Sequence, residues 1–424
     1  MPVHTLETRC CIVGGGPAGL MLGLLLARDG IDVVVLEKHR DFLRDFRGDT
    51  IHASTLDLVD ALGLRDRFDA LPHTTVTRLD AVINGNRLTP VDFTHLRGRN
   101  RSIVLMPQWD FLTLLAEAAA EYPNFRLLLG ADAVGVLREG DRVAGVSAVT
   151  ADGPLDVRAA LTVAADGRAS VVRAAAGLPT RDYGVPVDVL WFRLPLPVPR
   201  PPDTLAYLAE DSFVITIPRT DYYQSGLLIR KGSEPEIRAA GLEALRTRIV
   251  RAAPVLADSV LSLRSFDQVR LLTVQVNRLK RWWLPGLLCI GDAAHAMSPA
   301  FGVGINYAVQ DAVAAARILA EPLRAGSVPA QALARVQRRR LPPVRLMQPI
   351  QLLVHRVIAK PGGGAVLHQP PSRAERVVLA VLLPVLRRLS ARLIGRGFRP
   401  ERLAASAGRR RSARSPDAAH MPIP

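Results

Sequence analysis

A glycine-rich turn close to the start of the chain limits the possible folds more than any other feature. Gly14, Gly16 and Gly19 have the spacing GxGxxG, between a β-branched run at Arg9–Val13 and an apolar helix expected over Pro17–Asp29. In such a strand–turn–helix unit the first glycine permits a tight turn, the second lets a pyrophosphate approach the backbone, and the third lets the helix pack closely on the strand. The helix N-terminus supplies amide donors and a positive dipole end. The turn therefore predicts a dinucleotide site in a parallel α/β layer.

The residues around this turn complete the nucleotide-binding pattern. Pro17 and Ala18 stand directly before the last glycine, and the apolar, non-alternating run Ile31–Leu36 predicts a second parallel strand that is buried on both faces. Glu37 and Lys38 follow that strand. Glu37 stands where a carboxylate accepts hydrogen bonds from an adenosine ribose. This pattern fits FAD and NAD equally.

A second glycine-rich segment, late in the chain, favours FAD over NAD. Gly291 and Asp292 follow an apolar, strand-like run, and Asp292 can accept hydrogen bonds from the hydroxyl groups of a ribityl chain, which NAD lacks. Gly302 and Gly304 have no Cβ, so a flat ring system can lie against the backbone there. The helix expected from Asn306 points its N-terminal dipole to the same place, where it would stabilise negative charge on a reduced flavin. The alternatives are an ordinary strand-to-helix turn for the two later glycines and a helix cap for Asp292.

Three segments together resemble a known family. GGGPAGL at 14–20, Asp166-Gly167-Arg168 and GDAAHAMSPAFGVGIN at 291–306 are similar, in order and spacing, to the three fingerprints of the p-hydroxybenzoate hydroxylase-like aromatic hydroxylases, the class A flavoprotein monooxygenases. The resemblance extends over roughly residues 5–320. It implies an α/β fold in which a Rossmann-like FAD-binding domain carries an inserted, mainly antiparallel β-sheet substrate domain, followed here by a C-terminal helical segment.

The resemblance also implies which positions contact the cofactor. Arg47, in an Arg-Gly pair after the second strand, is expected near the flavin and the pyrophosphate, and Gln108, at the start of a helix, is expected to touch the cofactor. Asp166 and Gly167 are expected to serve both FAD and a nicotinamide donor, although Asp166 has the alternative role of capping the next helix. The full set of expected FAD contacts is Gly14, Gly16, Pro17, Ala18, Gly19, Glu37, Lys38, Arg47, Gln108, Asp166, Gly167, Gly291, Asp292, Gly304, Ile305 and Asn306.

The reaction implied by the resemblance leaves little covalent chemistry to the protein. NAD(P)H would reduce FAD, O2 would form a flavin C4a-hydroperoxide, and its distal oxygen would pass to an aromatic or other electron-rich apolar ring. The loop that contains Pro299, Gly302 and Gly304 would shield this species, and its amides would contact the flavin. No further catalytic residue is predicted.

Two questions about the chemistry stay open. His52, His73 and His295 qualify as a base for a phenolic hydroxyl only by residue type, and packing against the flavin loop suits His295 better. A flavin-dependent reductase or dehydrogenase of an isoprenoid-type substrate on the same fold is the alternative function, and it would consume no O2. A two-dinucleotide reductase is disfavoured, because the sequence has no second strand–GxGxxG–helix unit.

Changes of pattern divide the chain into segments. Alternating residues over Thr75–Asp92 predict a hairpin that turns at Asn84-Gly85-Asn86, and Leu190–Arg230 predicts an antiparallel sheet. An apolar, ring-bearing substrate is expected at this sheet, although half of any alternating strand must face away. Its aromatic residues include Trp191, Phe192, Phe213, Tyr222 and Tyr223. The predicted division is 1–74, 105–180 and 276–333 for the FAD-binding domain, 75–104 and 181–275 for the substrate domain, 334–403 for basic helices and 404–424 for a disordered tail.

The net charge of +16 belongs to the C-terminal segment, because residues 1–334 contain 36 basic and 36 acidic side chains. Phe398 is the only aromatic residue after position 335, so the segment offers no stacking platform for nucleic acid. Its run Arg376–Arg396 has an apolar face beside arginines. This pattern fits an interfacial membrane helix or a helix packed on the FAD-binding domain, and the second is favoured.

The remaining features predict a cytoplasmic enzyme without a metal. Cys10, Cys11 and Cys289 lie in apolar runs without metal-ligand spacing and are expected to be buried and inert. The N-terminus has no signal-peptide pattern, and no apolar stretch reaches the roughly 18–20 residues of a membrane span. The expected partners are a small ring substrate and O2, with peripheral membrane contact as the open alternative and no nucleic acid.

Overall fold

The fold is described from a computed structural model that covers residues 3–43, 50–199, 206–209, 212–359 and 373–403. The first part of the chain contains β1 (His4–Val13), α1 (Pro17–Arg28), β2 (Val33–Glu37), β3 (Thr50–Ile51), α2 (Ala53–Leu62), α3 (Arg65–Asp69), β4 (Thr74–Val76), β5 (Arg78–Ile83), β6 (Asn86–Asp92), β7 (Ile103–Leu105), α4 (Gln108–Ala120), β8 (Phe125–Leu129), β9 (Asp132–Glu139), β10 (Arg142–Thr150) and β11 (Gly153–Ala164). The second part contains α5 (Val171–Ala175), β12 (Thr180–Asp182), β13 (Val187–Pro195), β14 (Ala206–Ala209), β15 (Ser212–Pro218), β16 (Tyr222–Arg230), α6 (Glu234–Ala239), α7 (Leu242–Ala252), β17 (Arg270–Leu272), β18 (Asn277–Leu279), β19 (Trp283–Leu284), β20 (Leu287–Cys289), α8 (Gly304–Arg324), α9 (Ala330–Ala359) and α10 (Arg373–Gly395).

A parallel sheet forms the centre of the first layer. Its strands lie in the order β20-β11-β1-β2-β8, and β19 pairs antiparallel at the β20 edge. All five residues of β2 are buried, as expected for a parallel strand that is covered on both faces. Cys10, Cys11 and Cys289 are buried and unpaired, which confirms the prediction for the thiols. Burial raises the pKa of Cys11 to about 12, so this thiol is not reactive at neutral pH.

The same sheet has an antiparallel extension, for which the sequence predicts strands at Arg142–Val149 and Leu161–Ala164 but does not predict β9. β11 pairs with β10, and β10 pairs with β9, both antiparallel. The apolar run Leu161–Ala164 predicted only the last third of β11, which begins at Gly153. The earlier part of β11 is alternately buried and partly exposed. A search for continuous apolar runs therefore finds only the part of the strand in the parallel core.

Seven strands form a second sheet in the order β17-β13-β16-β15-β14-β5-β6. Strands β13, β16 and β15 are antiparallel, as predicted, and the hairpin β5–β6 joins them because β5 pairs with β14. Asn84 and Gly85, between β5 and β6, have φ angles of 48° and 80°, which suit a two-residue hairpin turn; Asn86, which the prediction included in the turn, is the first residue of β6. Segments 75–104 and 181–275 thus share one sheet, although the domain boundaries themselves stay a prediction.

Helix α7 covers one face of this second sheet and was not predicted. Its buried stripe consists of Leu245, Ile249 and Ala252, which pack in one apolar cluster with strand residues such as Leu190 and Leu227. The helix has only these three buried residues among its eleven, and three of the others are arginines. Its apolar signal in the sequence is therefore weak.

The C-terminal helices pack on the rest of the protein. α8 contacts α1 and α9, and α10 lies on β6. Arg387 Nε donates to the carbonyl oxygen of Thr89 at 2.7 Å, and an Arg396 nitrogen donates to the carbonyl oxygen of Arg97 at 2.8 Å. Helix α10 is therefore packed on the protein, but mainly on segment 75–104 of the predicted substrate domain, whereas the favoured prediction placed it on the FAD-binding domain. The predicted tail 404–424 lies outside the described residues.

Among the residues that the structure describes, no helix is both long enough and apolar enough to cross a bilayer.

Candidate active site

The three glycine-containing motifs meet at the carboxyl ends of β1, β11 and β20. The amide of Ala165 donates to the carbonyl of Val13 at 2.8 Å, and the amide of Ile290 donates to the carbonyl of Ala164 at 3.0 Å. The residues that follow each strand therefore lie side by side along one edge. In open α/β sheets this edge is where ligands bind.

Two glycines of the first turn are required by contacts within the protein, and a third is not. Gly14 has a φ of +107°, and a methyl group there would lie 2.4 Å from the carbonyl oxygen of Ala165. A methyl group on Gly19 would lie 1.9 Å from the carbonyl oxygen of Gly14. At Gly16, the N-cap of α1, no atom lies within 4 Å of the methyl position. This open space lies where the sequence predicts the pyrophosphate.

Glu37, at the end of β2, lies directly beside this turn. Its Oε2 accepts from the amide of Gly15 at 2.9 Å, its Oε1 accepts from the amide of His39 at 3.1 Å, and the side chain is buried. The carboxylate is thus oriented at the predicted ribose position, and Lys38 next to it is exposed. Arg47 lies outside the described residues, so its role stays a prediction.

Gln108 is the first residue of α4, as predicted, and is half-buried. In the same turn, burial raises the pKa of Asp110, and the nearby charge of Arg219 opposes that shift. Arg219 belongs to the turn between β15 and β16. The second sheet therefore reaches the start of α4, where the cofactor contact of Gln108 is expected.

Asp166 caps the helix that follows it. Its Oδ1 accepts from the Ser170 hydroxyl at 2.5 Å, and its Oδ2 accepts from the amide of Val172 at 3.2 Å. Burial raises the pKa of this carboxyl group, and the hydrogen bonds oppose the shift. Gly167, with a φ of +84°, turns the chain beside it. The capping alternative is present in the structure, and cofactor contact stays a prediction for both residues.

Two arginines connect the Asp-Gly segment with the late motif. Arg168 Nε donates to Asp292 Oδ2 at 3.2 Å, and both side chains are about one-third exposed. Arg173 donates to the carbonyl of Ala293 at 3.0 Å and to the carbonyl of Arg168 at 2.7 Å. Because Asp292 is only partly covered, its carboxylate remains accessible at the predicted ribityl position.

The loop between β20 and α8 has an unusual backbone at its tip. Phe301 and Gly302 have φ angles of 68° and 63°, and a positive φ is costly for a bulky residue such as phenylalanine. A methyl group on Gly302 would lie 2.7 Å from the Thr50 hydroxyl. His52 Nε2 lies 3.2 Å from the carbonyl oxygen of Phe301 and must donate to it, because a carbonyl only accepts. The tip is therefore held against β3 and the start of α2, as a shield for the flavin requires.

At the start of α8, Ile305 and Asn306 contact the protein, whereas the space around Gly304 is open. Asn306 Oδ1 accepts from the hydroxyls of Ser54 at 2.7 Å and Thr55 at 2.9 Å, and Ile305 is buried in the core. At Gly304 no atom lies within 4 Å of the methyl position. The backbone amides at this helix N-terminus are thus the groups available to a ligand.

Asp311, in the middle of α8, belongs to the site and was not predicted. Its Oδ2 accepts from the amide of Gly291 at 3.0 Å and from His295 Nε2 at 2.6 Å, and its Oδ1 accepts from Arg340 Nε at 2.9 Å. Burial opposes its ionisation, but the charges and hydrogen bonds of His295 and Arg340 hold the pKa of Asp311 below its usual value. The signal in the sequence was a lone carboxylate in an apolar helix. A carboxylate is buried only when it has ionic or hydrogen-bond partners, so its position indicates such partners.

A polar stripe on α9 holds the loop that precedes Phe301. Gln351 Oε1 accepts from the amide of Ser298 at 3.2 Å, and its Nε2 donates to the carbonyl of the same residue at 3.0 Å. His355 Nε2 lies 2.5 Å from the Ser298 hydroxyl, and Gln348 Nε2 donates to the carbonyl of Ala296 at 3.1 Å. The basic C-terminal segment therefore contributes directly to the flavin loop.

The three histidines selected by residue type have other roles than that of a free base. His52 is fully buried, and burial lowers the pKa of its imidazole to about 4. His73 Nδ1 donates to the carbonyl of Leu71 at 2.7 Å. His295 is buried and bonded to Asp311, which agrees with the packing role favoured for it.

The face of the second sheet opposite α7 is apolar, and its buried cluster includes Leu352 of α9, while Ile215 is partly exposed. Trp191, Gly226 and Ile215 lie in one row across β13, β16 and β15. A methyl group on Gly226 would lie 3.1 Å from the Trp191 ring, so the absence of a side chain lets the indole lie over the sheet. Trp191 Nε1 is buried and has no hydrogen-bond partner in the described part of the chain. Ile217 belongs both to this cluster and to the cluster that contains Phe301.

The aromatic residues of the sheet divide between its two faces, as alternation requires. Trp191 and Phe213 lie on the face opposite α7, whereas Phe192 and Tyr223 pack with α7. Tyr222 is half-buried at the start of β16. Only part of the predicted aromatic set can therefore line a pocket.

The edge of the parallel sheet fits FAD. Two open glycine positions lie at the N-termini of α1 and α8, and two carboxylates stand where a ribose and a ribityl chain need acceptors. An apolar wall and a shaped loop continue from the second helix terminus. The arrangement can hold an extended dinucleotide and place its ring beside an apolar substrate.

Comparison with known proteins agrees with this geometry. Residues 7–348 match the family model described as FAD binding domain. The 6-methylpretetramide 4-monooxygenase of Streptomyces rimosus is 35% identical over 370 residues, which cover 85% of this chain and 87% of that protein. Several other curated relatives are longer proteins, and the chain spans 62% or 55% of their length.

Solved structures share the fold. The p-nitrophenol 4-monooxygenase PnpA from Pseudomonas putida DLL-E4 has a TM-score of 0.74 at 21% identity, with 94% of this chain and 100% of that chain covered. The OxyS anhydrotetracycline hydroxylase from Streptomyces rimosus has a TM-score of 0.70 at 22% identity, with 92% of this chain and 76% of that chain covered. The relatives named here are oxygenases, so they give no support to the isoprenoid reductase alternative.

Proposed function

Because this chain belongs to the class A flavoprotein monooxygenases, the FAD-dependent aromatic hydroxylases, we propose that it hydroxylates a fused-ring aromatic compound of the tetracycline type and uses NAD(P)H as the reductant. The observation that carries the substrate size is the apolar row Trp191, Gly226 and Ile215 across three strands, of which Ile215 is partly exposed. Neighbouring strands lie about 4.8 Å apart, so the row spans about 10 Å. A flat surface of this width suits several fused rings better than a single phenol. The relative named for 6-methylpretetramide supports the same class.

A buried donor on this wall favours a substrate with an oxygen substituent. Trp191 Nε1 has no partner among the described residues, and a buried donor left unpaired costs about 1–3 kcal/mol. Because this nitrogen is covered by its neighbours, a phenolic or carbonyl oxygen of the substrate would remove that cost when those neighbours move aside. Trp191 thereby both stacks on the ring system and orients it.

The cofactor is proposed to lie along the edge where the three motifs meet. Gly16 and the N-terminus of α1 would hold the pyrophosphate, Glu37 the ribose, and Asp292 the ribityl chain. The amides from Gly304 onward would contact the flavin ring. Bound FAD supplies the redox chemistry that activates O2 for transfer to the ring.

The protein's own contribution is positioning and exclusion of water. The loop at Phe301 is held by His52 on one side and by the α9 stripe on the other, so the ring of the cofactor meets a rigid wall. His52 stays neutral at physiological pH, because burial lowers its pKa to about 4. A neutral imidazole adds no charge that would attract water to an oxygen-reactive site. NAD(P)H is proposed to bind transiently, since the sequence contains one dinucleotide turn.

The proposal is tested with the FAD-loaded protein, NADPH and an oxygen electrode. Fused-ring phenols are expected to accelerate NADPH oxidation and O2 uptake together and to yield a product with one added oxygen, whereas single-ring phenols should do so weakly. Trp191→Phe, which keeps the ring and removes the donor, should raise KM for a fused-ring substrate about tenfold, the worth of one hydrogen bond. Acceleration of NADPH oxidation without O2 uptake would instead support a reductase, and a preference for single rings would reject the substrate class.

A further inference from the structure

A cavity of about 540 Å³ lies away from the candidate active site, between α8, α9 and the chain that follows α10. It is lined by one apolar residue and five arginines, namely Ile318 with Arg317, Arg335, Arg338, Arg339 and Arg399. None of these arginines belongs to the FAD edge or to the apolar wall. The proposed reaction leaves this cavity without a role.

A single buried carboxylate organises part of the cluster. Glu401 is buried, and its oxygens lie 2.9 Å from Arg317 and 2.5 Å from Arg339. The same carboxylate lies 3.6 Å from Arg340, beneath the cavity. Two of the lining guanidinium groups are thereby fixed in place by one negative charge.

The other three lining arginines have no such compensation. Arg335, Arg338 and Arg399 are exposed, and within the described ranges no carboxylate forms an ion pair with any of them. Five guanidinium charges face one carboxylate, which leaves a net excess of four positive charges around the cavity. Like charges gathered in this way repel one another unless an anion joins them.

We propose that this cavity binds a small anion that carries two or more phosphate groups. Guanidinium groups match phosphate oxygens in bidentate geometry, which makes arginine the preferred residue for such ligands. Each phosphate monoester contributes about −1.5 to −2 charge at neutral pH. A diphosphate therefore neutralises most of the excess, and it fits a cavity in the usual range for small ligands.

The lining also argues against larger occupants. Ile318 is the only apolar residue of the lining, so the site lacks the aromatic and aliphatic anchors of a protein or nucleic-acid interface. The chain's own C-terminal residues 404–424 contain four arginines and one aspartate, and so they supply no anionic segment. A separate, small, highly charged ligand is the occupant that matches the site.

Pyrophosphate is the probe for the test, which uses the FAD-loaded enzyme at constant ionic strength so that the cofactor's own phosphate site is filled. Calorimetric titration is expected to give saturable binding at one site per chain. Arg335→Gln combined with Arg338→Gln should weaken that binding at least tenfold, because both unpaired guanidiniums of α9 are lost. The matched control is Arg264→Gln with Arg270→Gln, which removes the same charge from two exposed positions elsewhere and should change affinity less than twofold.

The outcomes distinguish binding of pyrophosphate at this cavity from nonspecific attraction to positive charge. Equal weakening in both double variants, or no saturable binding of pyrophosphate, would overturn the proposal. Tighter, Arg335-dependent binding of an acidic peptide than of pyrophosphate would also overturn it, in favour of a protein partner. Circular dichroism of the α9 variant should match the parent, since neither side chain has a partner in the described structure. Because hydroxylation is measured separately, failure here leaves the proposed function unaffected.

Discussion

Asp311 Oδ1 and Arg340 Nε lie 2.9 Å apart, and neither side chain reaches solvent. This ion pair joins α8 to α9, while the other oxygen of Asp311 holds the amide of Gly291. Removing two charges from water is costly, and only close geometry with further hydrogen bonds offsets that cost. Helix α9 therefore helps to stabilise the edge of the parallel sheet where FAD is proposed to bind.

Asp311→Asn is expected to destabilise the protein strongly, because it leaves Arg340 buried beside a neutral amide. Breaking a buried pair by changing one partner costs roughly 3–5 kcal/mol, measured as the free energy of unfolding in urea. The control Glu139→Gln breaks the exposed pair between Arg158 and Glu139 and should cost less than about 1 kcal/mol. Equal, small losses in both variants would show that the buried pair is dispensable.

Gly16→Ala is expected to lower the affinity for FAD, whereas Gly19→Ala is expected to lower the stability of the protein. A methyl group at Gly16 meets no protein atom within 4 Å, so the apoprotein should keep its stability while its affinity for FAD falls at least tenfold. A methyl group at Gly19 meets the carbonyl oxygen of Gly14 at 1.9 Å, so the apoprotein itself should be destabilised. Urea unfolding of apoprotein and fluorescence titration with FAD measure the two effects. Unchanged FAD affinity in Gly16→Ala would contradict the pyrophosphate position.

Acid is expected to weaken the fold through two buried histidines. Burial lowers the pKa of His52 and of His355 to about 4, from an ordinary value of 6.5. Below pH 6.5 the unfolded chain therefore binds protons that the folded chain does not, so this stability is complete above pH 6.5 and is lost as the pH falls toward 4. Each group contributes a slope of up to about 1.4 kcal/mol per pH unit.

The two histidines can be separated by substitution. His355→Gln and His52→Asn should each make the dependence of unfolding free energy on pH shallower by about 1 kcal/mol per unit between pH 6 and 4.5. Urea unfolding at a series of pH values measures the slope. A slope that neither variant changes would assign the acid sensitivity to other groups.

Gly226→Ala is expected to disturb the substrate wall without disturbing the cofactor. The methyl group would lie 3.0 Å from Val189 Cγ1 and 3.1 Å from the Trp191 ring, so the indole must shift. Overpacking of this kind costs about 1–3 kcal/mol, and KM for a fused-ring substrate should rise severalfold while FAD affinity stays constant. Gly135→Ala, where no atom lies within 4 Å, is the matched control and should change neither constant.

The elements that build the cofactor edge were largely predictable because their signals are local. The glycine spacing, the apolar strands on either side of it and the late fingerprint each lie within about twenty residues. The run Ala53–Leu62 before Gly63 likewise predicts a helix, and α2 has these bounds. A backbone position that needs a positive φ, such as Gly14, can be predicted from the residue type, because glycine adopts such angles readily.

The contacts that the sequence does not predict join residues that are far apart in the chain. The pairing of Asp311 with Arg340, and the contacts of Gln351 and His355 with Ser298, join segments whose local patterns show only a helix. Helix α7 was missed because its buried stripe is narrow among arginines. The sequence favours a packed helix for the basic C-terminal segment, but no local pattern reveals the ion pairs that Arg340 forms with Asp311 and Arg396 with Asp57.

The central claim is that this chain transfers an oxygen atom from O2 to an aromatic ring beside the FAD edge. The most direct test supplies the FAD-loaded enzyme with NADPH, a fused-ring phenol and ¹⁸O2, and follows the product by mass spectrometry. One ¹⁸O atom per product molecule is the expected result. A product that forms at the same rate without O2, or one that carries oxygen from water, would contradict the claim.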